Sequence, residues 1–260
     1  MSEVINISLL ELAAAAGLVA IAALISYFLR LKMEKDMAIA TVRAFIQLMA
    51  VGYILDRIFE LNKWYLVSAW LMLMIGIASY NAMRRQTRQF PGLLSRMTLA
   101  ISSASLIAMV LGIGLIIRPE PFWNPQYLIP IGGMIIGNAM SASVLAINRL
   151  NSEMKTGRDK IEAALSLGAS MHIASLPAVR ASVKAGMLHV VTNTMVVGLV
   201  HLPGMMTGQI VGGVEPGEAV RYQIFIMYVL ITSNALSALL STIMIRGLFF
   251  NDRSQLILHE

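Results

Sequence analysis

The sequence predicts an all-α polytopic membrane protein of about seven transmembrane helices. Its N-terminus is expected outside, its C-terminus in the cytoplasm, and one short helix in a cytoplasmic loop. Three observations carry this expectation. Of 260 residues, 57% are hydrophobic and only 13% charged, where a soluble domain averages roughly 25% charged. Mean hydropathy is +0.73, and the apolar residues gather in runs near the ~20 that a helix needs to cross hydrocarbon. Finally, the basic residues fall mostly on one side of those runs.

The runs are read as spans over residues 7–29, 37–55, 64–83, 98–117, 128–147, 183–201 and 222–245. No linker or internal repeat interrupts them, so residues 1–260 are expected to form a single transmembrane domain. The first run is long and has no basic residue before it, so no cleavable signal peptide is expected. Arg30, Lys32, Lys35, Arg84, Arg85, Arg88, Arg96, Arg149, Lys155, Arg158, Lys160, Arg180, Lys184, Arg246 and Arg253 fall on one side. Only Arg57, Lys63, Arg118 and Arg221 fall on the other, with Arg43 inside a span. The positive-inside rule makes the crowded side cytoplasmic, which requires an odd number of spans. Trp64, Tyr65, Trp123 and Tyr127 then sit at outer span edges, where amphipathic rings favour the interface.

The net charge of +6 is thus accounted for by cytoplasmic loops, and no nucleic-acid partner is expected. The chain has no cysteine, which excludes a thiolate metal site. It has no H-E-x-x-H motif and no intramembrane carboxylate pair, so an enzyme is not expected.

The longest cytoplasmic stretch, about 149–182, holds "TGRDKIEAALSLGASMHIASLPAVR". Thr156 ahead of Asp159 reads as a capping signal, and Ile161, Ala164, Leu165 and Gly168 repeat at helical spacing. A short amphipathic helix ending near Gly168 is expected, with Pro177 restarting the chain toward the sixth span. From spacing alone, such a helix either lies on the inner leaflet or presents a face to a partner.

Several polar groups inside the spans are candidates for a translocation path. Arg43 and Gln47 are one turn apart on the second span; Arg43 either snorkels to the interface or faces a cavity. Asn138, Ser141 and Asn148 share a face of the fifth span, as Asn234, Ser237 and Ser241 do on the seventh. Such stripes either hydrogen-bond between helices or line a path. Gly132, Gly133 and Gly137 suit close helix packing, the last two as a small-x-x-x-small pair. His189 and His201 are placed on the sixth span, twelve residues apart and so on different faces, which argues against a two-histidine site. The 19 methionines are read chiefly as adaptable core filler. Metal ligands remain unassigned, because a high-affinity iron cage would need grouped carboxylates, and the spans hold only Glu11, near the start of the first.

The segment 202–213, "LPGMMTGQIVGG", combines a proline and four glycines with two methionines. It is expected to break the helix and turn back over the outer side, with Met205, Met206 and Gln209 at an extracellular gate. A plain connecting loop is the other reading.

Two resemblances sharpen this. "EAALSLGA", at 162–169, resembles the EAA loop of ABC-transporter permeases, which implies a coupling helix that docks on a separate ATPase through Glu162, Ala163, Ala164 and Gly168. The distance from Gly168 to Leu176-Pro177 is shorter than in the importer pattern. This chain has no P-loop and not even a Gly-Lys dipeptide, so no cofactor is expected on it, and ATP-Mg would sit on the partner. "PIGGMIIGNAM" (130–140), "LPGMMTGQIVGGVEPGEAVRYQI" (202–224) and "RAFIQLMAVGYIL" (43–55) are similar to segments of the FetB-type permeases. That ABC family is linked to bacterial iron export and has relatives in plant aluminium tolerance. The resemblance implies a homodimer in the bacterial plasma (inner) membrane, working with a FetA-type ATP-binding subunit to export iron or another metal ion. A permease for a non-metal small solute, or an ATP-independent channel or interaction protein, is the alternative.

Overall fold

The computed structural model describes residues 8–87, 89, 91–251 and 255–257. Ile7, Arg88 and Arg253, used in the topology argument, lie outside the described residues. The architecture is all-α, with no strand among the described residues, and the chain is a multi-pass membrane protein. In lipid every backbone polar group must be satisfied within its own segment, so each apolar run becomes a helix.

Ten helices follow in order: α1 (Leu9–Phe28), α2 (Glu34–Leu61), α3 (Trp64–Arg84), α4 (Leu93–Met109), α5 (Pro125–Thr156), α6 (Arg158–Ser166), α7 (Met171–Ala174), α8 (Leu176–Val196), α9 (Gly204–Val211) and α10 (Pro216–Arg246). Of these, α2, α3, α4 with its extension, α5 and α10 are long and apolar enough to cross a membrane. The first and sixth expected spans correspond to α1, apolar over Ala14–Phe28, and to the 21-residue α8, which carries Arg180 and Lys184. Helix ends differ from the expected ones. α5 runs nine residues past 147, and α8 begins at Leu176 because Pro177 occupies its first turn, where a missing N–H costs nothing. Past Met109, α4 widens into a π-helical stretch, Val110–Ile117, ending where Arg118 N donates to the Ile113 carbonyl at 2.9 Å. The expected span over 98–117 therefore changes winding near its C-terminal end.

Two compact units divide the chain. One contains α1, α2 and Val211–Gly213. In it, Ser8 and Glu11 form a reciprocal capping box at the start of α1. The α1–α2 turn is tied by Ser26, whose hydroxyl donates to Glu34 at 2.8 Å and accepts from Met33 N at 3.1 Å.

The other unit contains α3 through α8, α9 up to Ile210, and α10. Its helices α5 and α10 run parallel in fixed register. Ser233 donates to the Ile135 carbonyl, Ser237 to the Ala139 carbonyl, and Ser241 meets Ser143, each pair 98 residues apart. Where α8 crosses them, a Cβ on Gly186 would lie 2.7 Å from Ala238 Cβ and 2.8 Å from the Ala142 carbonyl oxygen. Glycine is required there by close approach. A first apolar cluster joins Met97, Leu150, Met154, Ile161, Ala174, Ile245 and Phe249 at one end of the unit. A second joins Ala108, Ile113, Ile131, Ile135, Ile226 and Val229 nearer the other.

Candidate functional site

The short helix at 158–166 forms where the pattern predicted it, but its caps differ. Gly157 is the N-cap; Thr156 ends α5, its hydroxyl donating back to the Ser152 carbonyl at 2.8 Å rather than capping α6. At the other end Gly168, at φ 87, closes a Schellman motif. Gly168 N donates to the Leu165 carbonyl and Ala169 N to the Ala164 carbonyl, both at 3.0 Å. A side chain at Gly168 would have open space but a strained backbone.

This geometry gives α6 two faces. Ile161 is 4% exposed and belongs to the first apolar cluster, with Ala164, Leu165 and the α7 residue Met171 packed beside it. Ala163, Ser166 and Leu167 face outward, and Leu167 is 89% exposed. Glu162 is half-buried and accepts from Arg158 Nε at 2.8 Å, one turn back on its own helix. That hydrogen bond, then the carboxylate charge, raises the Arg158 guanidinium pKa above its ordinary value. Of the four residues expected to couple, Ala163 and Gly168 are outward, Ala164 is turned inward, and Glu162 is held by Arg158. α7 adds a second attachment: Arg246, buried at the end of α10, hydrogen-bonds His172 Nδ1.

The polar stripes of α5 and α10 separate into two kinds. Ser143, Ser237 and Ser241 are fully buried and linked, with Ser143 Oγ at 2.7 Å from each of the other two hydroxyls. Asn138 and Ser141 instead donate into their own helix, to the Met134 and Gly137 carbonyls. Ser141 is exposed, and Asn148 accepts from Thr87 in the α3–α4 turn. Asn234 is 2% exposed, and its Oδ1 has no hydrogen-bond partner among the described residues. Among the glycines, a Cβ on Gly132 would strike Leu71 and one on Gly133 would strike Met74, whereas Gly137 meets nothing within 4 Å. The expected Gly133/Gly137 contact is therefore replaced by the adjacent pair Gly132/Gly133 against α3.

His201, expected on the sixth span, does not belong to α8, which stops at Val196. The chain turns sharply at Gly198, φ 80, and the His201 carbonyl accepts from Gly198 N at 3.0 Å. Beyond it, residues 204–211 are helical rather than broken. Pro203 precedes this helix and its carbonyl accepts from Thr207 N, while Gly212 and Gly213 follow it, so only Gly208 disturbs the interior. Eight residues rise about 12 Å, too short to cross. On α9, Met205 packs against the second apolar cluster, Met206 is half-buried, and Gln209 Oε1 is buried without a partner among the described residues. In the other unit, Arg43 and Gln47 are exposed on α2.

Ser143, Leu167 and the His172–Arg246 pair were not singled out by the sequence reading. Ser143 sits in an Ala-Ser-Ala run that reads as helix filler, and Leu167 falls past the last turn of the periodic pattern. Nothing in sequence ties residues 172 and 246. Among the described residues no three His, Asp or Glu side chains are grouped to hold a metal ion.

Residues 9–250 match the model of an uncharacterised protein family, UPF0014. The chain is 35% identical to the "Probable iron export permease protein FetB" of Escherichia coli, over 98% of this chain and 97% of that protein. It is 35% identical to the UPF0014 membrane protein STAR2 of Oryza sativa (96% and 86% covered) and 34% identical to the protein ALUMINUM SENSITIVE 3 of Arabidopsis thaliana (95% and 89%). No solved structure matches the chain.

Proposed function

This chain belongs to the family UPF0014, and we propose that it is the membrane-spanning permease subunit of an ABC exporter. In this reading two copies face one another over two FetA-type ATP-binding subunits, which bind ATP-Mg and hydrolyse it. The permease itself does no covalent chemistry; it moves iron or another metal ion out of the cytoplasm. The N-terminus lies outside and the C-terminus inside, placing α6 and α7 on the cytoplasmic side.

The single observation that carries the reading is the two-faced α6. A coupling element must expose a surface to its partner and be fastened to the helices it moves. Ala163 and Leu167 supply an outward face, with alanine allowing close backbone approach. Ile161 and the His172–Arg246 bond fasten α6 and α7 to α5 and α10. Packed cores transmit such displacements because they resist deformation. The name of the relative from Escherichia coli supports iron as cargo. A resident cage is not part of the proposal: in this reading the cargo passes weakly held or chelated.

The test is co-expression with the ATP-binding subunit, reconstitution of the complex in vesicles, and measurement of ATP-driven iron movement. Movement that stops with a hydrolysis-dead partner supports both class and cargo. ATPase activity without iron movement keeps the class and rejects the cargo. Failure to assemble favours an ATP-independent channel or interaction protein.

A further inference from the structure

We infer that the outer face of α8 is a binding site for an anionic phospholipid, with its headgroup at Arg180 and Lys184 and an acyl chain in the groove beside them. The groove has a volume of about 610 Å³ and is lined by Val183, Met187, Leu188 and Val191 of α8 and by Leu239 of α10. It begins at Leu176 and reaches Val191, which at helical rise is about 22 Å. Beyond Arg180 and Lys184 it continues for about 16 and 10 Å respectively, against about 15 Å for one leaflet of hydrocarbon, so most of an acyl chain fits along it.

The charge lies between Leu176 and the middle of the groove, and no charged residue lines it beyond Lys184. Arg180 and Lys184 line the same groove, are exposed, and sit one turn apart on one face of α8. They lie about 6 and 12 Å along the helix from Leu176, where their alkyl stems cover apolar surface while their charged ends reach the interface. α8 contains no Asp or Glu, and among the described residues neither cation is paired with a carboxylate. Elsewhere Arg158 and Arg149 are each neutralised by a Glu one turn on. Two unneutralised cations in an otherwise apolar groove match one ligand chemistry: a phosphate-bearing, net-negative headgroup on a hydrocarbon tail. A zwitterionic lipid satisfies the groove without the charge, and a soluble anion satisfies the charge without the groove. The inference does not depend on the transport reading.

The full chain in detergent is titrated with dioleoyl phosphatidylglycerol and, separately, dioleoyl phosphatidylcholine, and bound lipid is counted by native mass spectrometry. The expected result is a preference for phosphatidylglycerol on the order of tenfold, lost in the double variant Arg180→Gln/Lys184→Gln. Leu188→Trp, which fills the groove and keeps both charges, is expected to reduce retention of either lipid. Lys32→Gln/Lys35→Gln, in the α1–α2 turn, is expected to change nothing. Three results would overturn the inference. One is equal retention of the two lipids. Another is phosphatidylglycerol binding unchanged in the α8 variants, or reduced equally by the Lys32/Lys35 control. The last is a self-association of the chain that disappears with the α8 substitutions while lipid retention stays, which would make this face a contact between copies.

Discussion

Arg246 and His172, 74 residues apart, are joined by one hydrogen bond that closes α7 onto the end of α10. Arginine carries only donors, so in this pair His172 Nδ1 is the acceptor. Arg246 is 9% exposed, so its guanidinium depends on the acceptors the fold supplies. Replacing His172 by Ala is expected to cost about 1–3 kcal/mol by leaving a buried charged donor without this acceptor. His172→Gln, whose amide oxygen accepts, is expected to recover part of it. Thermal unfolding in detergent checks both; variants that melt with the parent protein count against the bond.

Ala163 is exposed while its neighbour Ala164 packs against the first apolar cluster, so bulky substitution is expected to separate coupling from stability. Ala163→Trp is expected to leave the melting temperature unchanged and to uncouple ATP hydrolysis from transport in the reconstituted complex. Ala164→Trp overpacks the apolar cluster around Ile161 and is expected to destabilise by about 1–3 kcal/mol. Paired measurement of hydrolysis, transport and unfolding decides it.

Gly186→Ala places a methyl 2.8 Å from the Ala142 carbonyl oxygen and 2.7 Å from Ala238 Cβ. Since backbone cannot step aside cheaply, a loss of about 1–3 kcal/mol is expected. Gly137→Ala meets open space and is expected to be neutral or stabilising by up to about 1 kcal/mol through helix propensity. Equal effects at the two sites would contradict the packing described.

Ser143→Ala removes the hydroxyl that meets both Ser237 and Ser241. Interhelical hydrogen bonds within a membrane average about 0.6 kcal/mol, so a loss of roughly 1 kcal/mol is expected for the pair. Ser141→Ala removes only a bond within α5 and is expected to change stability less. Unfolding in detergent compares the two.

Met205→Ser and Met206→Ser test the outer end. If α9 borders the gate, these substitutions are expected to change transport kinetics while ATPase assembly is retained. Unaltered kinetics would remove α9 from the path.

The sequence by itself determined that this chain threads a membrane and where its long helices lie, but not the short α7 and α9. Satisfying backbone polar groups in hydrocarbon is a local requirement, so each apolar run declares its own helix. The short helix before Gly168 was legible for a similar reason: a left-handed C-cap is a property of one glycine and its neighbours. Tertiary structure alone decided which sides of those helices matter. In the amphipathic α6 the spacing already set Ala164 with Ile161 and Leu165, apart from Ala163, but the long spans, apolar on most sides, give no local sign of which face will be covered. Likewise Gly137 looked equivalent to Gly133, and Ser141 was singled out where Ser143 was not, until neighbouring helices met only one of each pair. The His172–Arg246 bond lies furthest from any sequence pattern, because it exists only once α7 and α10 have been brought together by packing.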